Sequence, residues 1–163
     1  MKKLSVLVIF VILFCTSCNK SMVLDISVNN FKDGYEKTNP GSLDATTMLI
    51  RNEKTTVYPP FNKMPPDATY YMVPSSIKFY KKVENLHLIG LFVKQLPLEL
   101  KELPNLENIS FSIGNASSIP EIIEVLRSCK RLKAIFLMAA IVSDAQLNNL
   151  KKSLPKIDVS IHP

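Results

Sequence analysis

The sequence predicts an α/β chain in which short strands alternate with helical segments and stack as a repeat array. Three observations carry this expectation. An apolar signature at positions 1, 4 and 6 of a short window occurs four times, as Val83, Leu86, Leu88; Leu106, Ile109, Phe111; Leu132, Ile135, Leu137; and Leu154, Ile157, Val159. Their first members lie 23, 26 and 22 residues apart, a nearly constant period across otherwise different residues. Upstream of each window the apolar spacing falls to about three, and such self-similarity marks stacked units.

From the N-terminus, Lys2 and Lys3 precede an apolar run from Leu4 to Phe14 that ends at Cys15-Thr16-Ser17-Cys18. Eleven residues suit a signal-peptide core and fall short of the roughly 18 that read as a membrane span. The small residues before Cys18 resemble a bacterial lipoprotein processing box, although Cys15 stands where Leu is most usual. The resemblance implies cleavage after Ser17 and a diacylglyceryl group on the Cys18 thiol. Acyl chains contribute about 0.8 kcal/mol per buried methylene, which holds a multiply acylated chain on a membrane. Asn19 and Lys20 follow the cysteine with no Asp to suggest inner-membrane retention, so the outer membrane is the expected location. An uncleaved anchor and an ordinary secretory signal are the alternatives, and both also export the body.

Residues 18–72 read as a linker and an irregular, partly β cap. Met22 to Val28 alternates apolar and polar residues; Thr46 to Ile50 and Thr55 to Tyr58 read as short strands able to pair across Arg51 to Lys54. Asn29 to Ser42, with Gly34, Pro40 and Gly41, reads as a flexible loop. Pro59, Pro60, Pro65, Pro66 and Pro74 then exclude long regular structure. An open array exposes its terminal core, which a cap would cover.

Residues 73–163 contain the repeats, with about four parallel strands. Positions 4 and 6 of each window are two apart, so both side chains point to one face of a strand and the residue between points to the other. The helical stripes are Ile77, Tyr80, Val83; Leu100, Leu103, Leu106; Ile123, Leu126, Cys129, Leu132; and Leu147, Leu150, Leu154. Their spacing of three to four fits α or 3₁₀ turns. Pro74, Pro97 and Pro120 recur 23 residues apart ahead of the first three stripes, where a fixed φ and a missing N–H are tolerated.

The segment Leu96 to Ser112, LPLELKELPNLENISFS, resembles a leucine-rich repeat. The resemblance covers roughly Val73 to Ile161 and implies a short solenoid. Position 9, usually Asn or Cys in that family, is Leu91, Gly114, Ala140 and His162 here. The turns must therefore satisfy their backbone groups by other means or remain exposed to water.

Charge and chemistry narrow the function classes. The whole chain carries +6, and removal of residues 1–17, with two lysines and no acids, leaves +4. Lys81-Lys82, Lys130-Arg131 and Lys151-Lys152 read as solvated helix ends. No nucleic-acid motif accompanies them. Cys129 lies in a helical stripe and reads as a packed thiol, with no cysteine left for a disulfide. His87 and His162 lie three repeats apart, about 14 Å at the strand spacing, too far for one metal ion. Neither a metal nor a cofactor is expected. Glu84, Glu107 and Asp158 read as solvated charges.

What remains is a surface. The intervening residues His87, Ser110, Phe136 and Asp158 form the expected inner sheet face, flanked by Ile89, Ser112, Met138 and Ser160 and by Asn85, Asn108, Ala134 and Lys156. An exposed aromatic beside a thioether suits a protein contact; coverage by the N-terminal region is the competing expectation. The chain therefore reads as a non-catalytic, lipid-anchored protein-binding module of the bacterial envelope. Two alternatives stand beside it: an inhibitor or immunity-type lipoprotein that neutralises one partner, and an enzyme using carboxylates among Asp25, Asp33, Glu36, Asp44 and Asp67.

Overall fold

A computed structural model describes residues 21–53 and 70–161. Cys18, Asp67, His162, the strand expected at Thr55 to Tyr58 and the four prolines between 59 and 66 lie outside the described residues. The chain is α/β, with seven strands in one sheet among the described residues. They are β1 (Val23–Ser27), β2 (Thr47–Arg51), β3 (Tyr70–Tyr71), β4 (Asn85–Val93), β5 (Asn108–Ile113), β6 (Ala134–Ala140) and β7 (Asp158–Ile161). The order is β1-β2-β4-β5-β6-β7, every pair is parallel, and the two-residue β3 joins the far end of β4.

A parallel sheet needs a crossover between neighbours. Here the crossovers contain helix α1 (Tyr35–Thr38), 3₁₀ turns at Pro40–Asp44, Ser75–Phe79 and Leu98–Glu102, and helices α2 (Ile119–Ser128) and α3 (Asp144–Ser153). Pro74 and Pro97 take the N-cap of their 3₁₀ turns, with φ of −60° and −72°. Their carbonyls accept the Ile77 and Leu100 N–H at 3.1 Å. Pro120 sits in the first turn of α2, where its missing N–H costs nothing. Helix α3 begins with a capping box, in which Ser143 Oγ accepts the Gln146 N–H and Gln146 Oε1 accepts the Ser143 N–H. The turn Ser75–Phe79 packs beside Leu98–Glu102, which packs on α2, which packs on α3.

The core lies between the strands and these crossovers. Leu86 is beside Ile109, which is beside Ile135, and all three are fully buried. The stripe residues Ile77, Tyr80, Val83, Leu100, Leu106 and Leu126 are buried with them. Strand and helical periods thus converge on one core, as two-layer packing requires.

Three expectations need correction. The region 21–53, expected as an irregular, partly β cap, has its expected strands at Val23–Ser27 and Thr47–Arg51, but they continue the same sheet: Met48 and Ile50 lie beside Leu86 and Leu88, and Leu24 and Ile26 beside Met48 and Ile50. Thr47–Arg51 pairs in parallel on both sides, so it does not form the expected hairpin. The stretch Asn29 to Ser42 is not a plain loop. It holds α1, introduced by Gly34 at φ 91°, and a buried Phe31 whose ring meets Tyr80 edge-on at 5.7 Å.

The last unit is also displaced. Val159, not Ile157, lies beside Ile135, and Ile161 lies beside Leu137. Leu154 caps α3, and the turn through Pro155 and Lys156 uses two more residues before the strand begins. Ile157 is left on the approach to β7, partly buried.

Two of the turns after the strands are held by side chains. Ser117 Oγ accepts the Gly114 N–H at 2.9 Å and donates to the Val93 carbonyl of the preceding unit at 2.5 Å. Asn52 Nδ2 donates to the Gly90 carbonyl of the next unit at 3.3 Å. Ser117 is buried, so Ser117→Ala leaves two backbone groups without their partner. The expected cost is about 1–3 kcal/mol, seen as a lower urea midpoint at unchanged slope. A midpoint equal to that of the parent would remove this account of the turn.

Candidate protein-docking face

The sheet face turned away from the core is built from the residues that alternate with the buried ones. Its central row runs Asp25, Leu49, His87, Ser110, Phe136, Ser160 across six strands. The row before it is Val23, Thr47, Asn85, Asn108, Ala134, Asp158. Asp158 therefore belongs one row away from the expected column, where Ser160 stands instead. The two-residue displacement of β7 is the cause.

The expected outer row Ile89, Ser112, Met138 does not exist as a row. On β4 the register shifts between His87 and Phe92, with Gly90 at φ 78°, so that Ser112 faces Phe92 and not Ile89. Only a residue without a Cβ adopts that backbone freely, and the bulge follows from it. On β6, Phe111 faces Leu137 and Ser112 faces Ala139, which leaves Met138 as the extra residue of a second bulge. Ser112 is fully buried, and its hydroxyl has no hydrogen-bond partner. Ser110 is 5% exposed between the His87 and Phe136 side chains. Neither serine offers contact area. Phe136, 39% exposed, does, and His87, Ile89 and Met138 are half-buried.

The face is nearly neutral. Asp25 and Arg51 form an ion pair at one end, and the centre is polar but uncharged. Asn108 Nδ2 donates to Asn85 Oδ1 at 2.7 Å, and Asn85 Nδ2 donates to Thr47 Oγ1 at 3.3 Å, a side-chain ladder along three strands. His87 Nδ1 and Ser110 Oγ share a hydrogen bond of 2.6 Å. Burial lowers the His87 pKa below the ordinary value of 6.5. The unfolded chain then binds a proton that the folded chain resists. This contribution to stability is complete above pH 6.5 and is lost as pH falls through the lowered value. Melting temperature should drop as pH falls below about 6.5, and His87→Gln should flatten that drop. An identical pH profile in the variant would refute the assignment to His87.

The titratable groups considered for chemistry do not converge on this face. Burial pushes the Cys129 thiol up to about 11, and its Sγ meets the Val125 carbonyl at 3.4 Å, which suits a packed thiol and not a nucleophile. Hydrogen bonds and charge from Lys133 and then Arg131 hold the Glu107 carboxyl below its usual range. Of the acids considered for catalysis, Asp25 pairs with Arg51, Asp33 accepts the Ser76 N–H at 3.0 Å, and Asp44 meets Lys82 at 2.7 Å. Glu36 is buried with one oxygen unpartnered. Among the described residues, no three His, Cys, Asp or Glu side chains converge as metal ligands. No helix among them is long and apolar enough to cross a membrane.

Sequence reasoning read β1 and β2 as strands but did not place them in this sheet, so their part of the face, including Leu49 and Val23, was missed. A signal was available, because Ala45, Met48 and Ile50 fit the same 1-4-6 spacing and all are buried. The small Ala45 and a gap of 38 residues to Val83 hid it. Comparison with known protein families and with curated proteins returns no match.

Proposed function

We propose that this chain is an exported, lipid-anchored leucine-rich-repeat-like solenoid that binds another protein through its inner sheet face. The observation that carries the reading is the exposed Phe136 near the half-buried Met138 on a nearly neutral sheet surface. A half-exposed aromatic costs little entropy to immobilise and buries large area when covered, so it serves as an anchor. The half-buried Leu49 on β2 and Ile89 on β4 add apolar area to the same face. The regular parallel order, one crossover per strand and a period near two dozen residues support the solenoid. Lipid on Cys18, five residues before β1, would hold the face close to the membrane carrying it.

The test is crosslinking and affinity recovery of the lipidated protein from native membranes, compared with Phe136→Ala and Met138→Ala. Loss of one defined partner in the Phe136 variant, at an expected cost of about 2 kcal/mol or more, supports the face. Retention of every partner by both variants removes it.

A further inference from the structure

The sheet ends at β7, whose outer edge has no strand partner among the described residues. The Asp158 N–H donates to the Lys133 carbonyl at 2.8 Å. Backbone groups alternate sides along a strand, so those of Val159 and Ile161 point to the open edge. The core is open there as well. Ile135 and Leu137 are 0% exposed, whereas Ile161, beside Leu137 on the next strand, is 37% exposed and Ile157 and Val159 are only partly buried. Such an edge usually carries an inward charge, a proline or a bulge, and β7 has none of them within Asp158–Ile161.

We propose that this edge docks a second copy of the chain, β7 against β7 in antiparallel fashion about a two-fold axis, so that the two sheets become one. The pattern of β7 is self-complementary when Val159 faces Val159 of the copy. Ile157 then faces Ile161 across the axis, and every core-facing apolar residue meets another. Asp158, the only charge in the strand, meets Ser160 and not itself. Val159 points its N–H and C=O outward, as the centre of a hydrogen-bonded antiparallel pair requires. The same axis sets the two α3 helices antiparallel. The acidic first turn at Asp144 of one then approaches the basic last turn at Lys151 and Lys152 of the other. A two-fold contact also closes, whereas head-to-tail stacking of β1 on β7 would grow without end.

Sedimentation velocity on the full-length chain in mild detergent, up to roughly 100 μM, reads the association directly. A monomer–dimer equilibrium is expected. Ser160→Lys places a cation opposite Asp158 twice per dimer and should tighten it roughly fivefold, whereas Ser160→Asp should loosen it roughly fivefold. Val159→Lys should give monomer only. Ser160 is off the core, so the first two variants should fold as the parent does by circular dichroism and keep the test valid if the third fails to fold. A parent that stays monomeric, assemblies larger than a dimer, or Ser160 variants that shift the equilibrium in the same direction would overturn the proposal.

Discussion

A chain shortened to begin at Pro74 is expected to lose cooperative folding. The truncation removes β1, β2 and β3, and with β2 the Met48 and Ile50 side chains that cover Leu86 and Leu88. It also removes Phe31, whose ring packs on Tyr80, and Ser42, whose hydroxyl donates to Tyr80 at 3.4 Å. Leu86, Leu88, Ile77 and Tyr80 are all fully buried in the intact chain. Exposing four such side chains costs about 6–12 kcal/mol, which is comparable to the whole stability of a small domain. The truncated chain should show a broad, non-cooperative melt by circular dichroism. A sharp transition near that of the full chain would show that the first three strands are dispensable.

The second large effect separates two alignments of the last unit. Ile109 is fully buried between β4 and β6, so Ile109→Ala should cost about 2–5 kcal/mol. If Ile157 occupied the equivalent place, its replacement would cost the same. Ile157 is instead partly buried ahead of β7, and Ile157→Ala should cost roughly 1 kcal/mol. Urea unfolding of both variants measures the contrast. Equal losses would return Ile157 to the ladder and move Asp158 back into the His87 row.

Part of the candidate face was legible beforehand, because alternation along a strand needs only local sequence. His87, Ser110 and Phe136 were expected side by side, and they are. What failed were positions decided by chain length between strands. Two extra residues after α3 moved Asp158, and bulges at Gly90 and Met138 dissolved the row through Ile89 and Ser112. Burial of Ser110 and Ser112 was likewise invisible, since it depends on which neighbours stand beside them. Ser117 illustrates the reverse case. The missing asparagine at position 9 was readable, whereas the serine that bridges Gly114 to Val93 was not, because its partner lies 24 residues away.

The residues themselves determined the class of the fold: side chains recurring every two dozen positions, with periods of two and then three, can be buried only by stacking strand on strand. Tertiary structure alone decided the register of the sheet from Val23 to Ile161 and left β7 with an edge that no other strand among the described residues pairs. The physical reason is that periodicity is a property of neighbouring residues. Register is set by how many residues each crossover consumes against its neighbour, and only packing counts them.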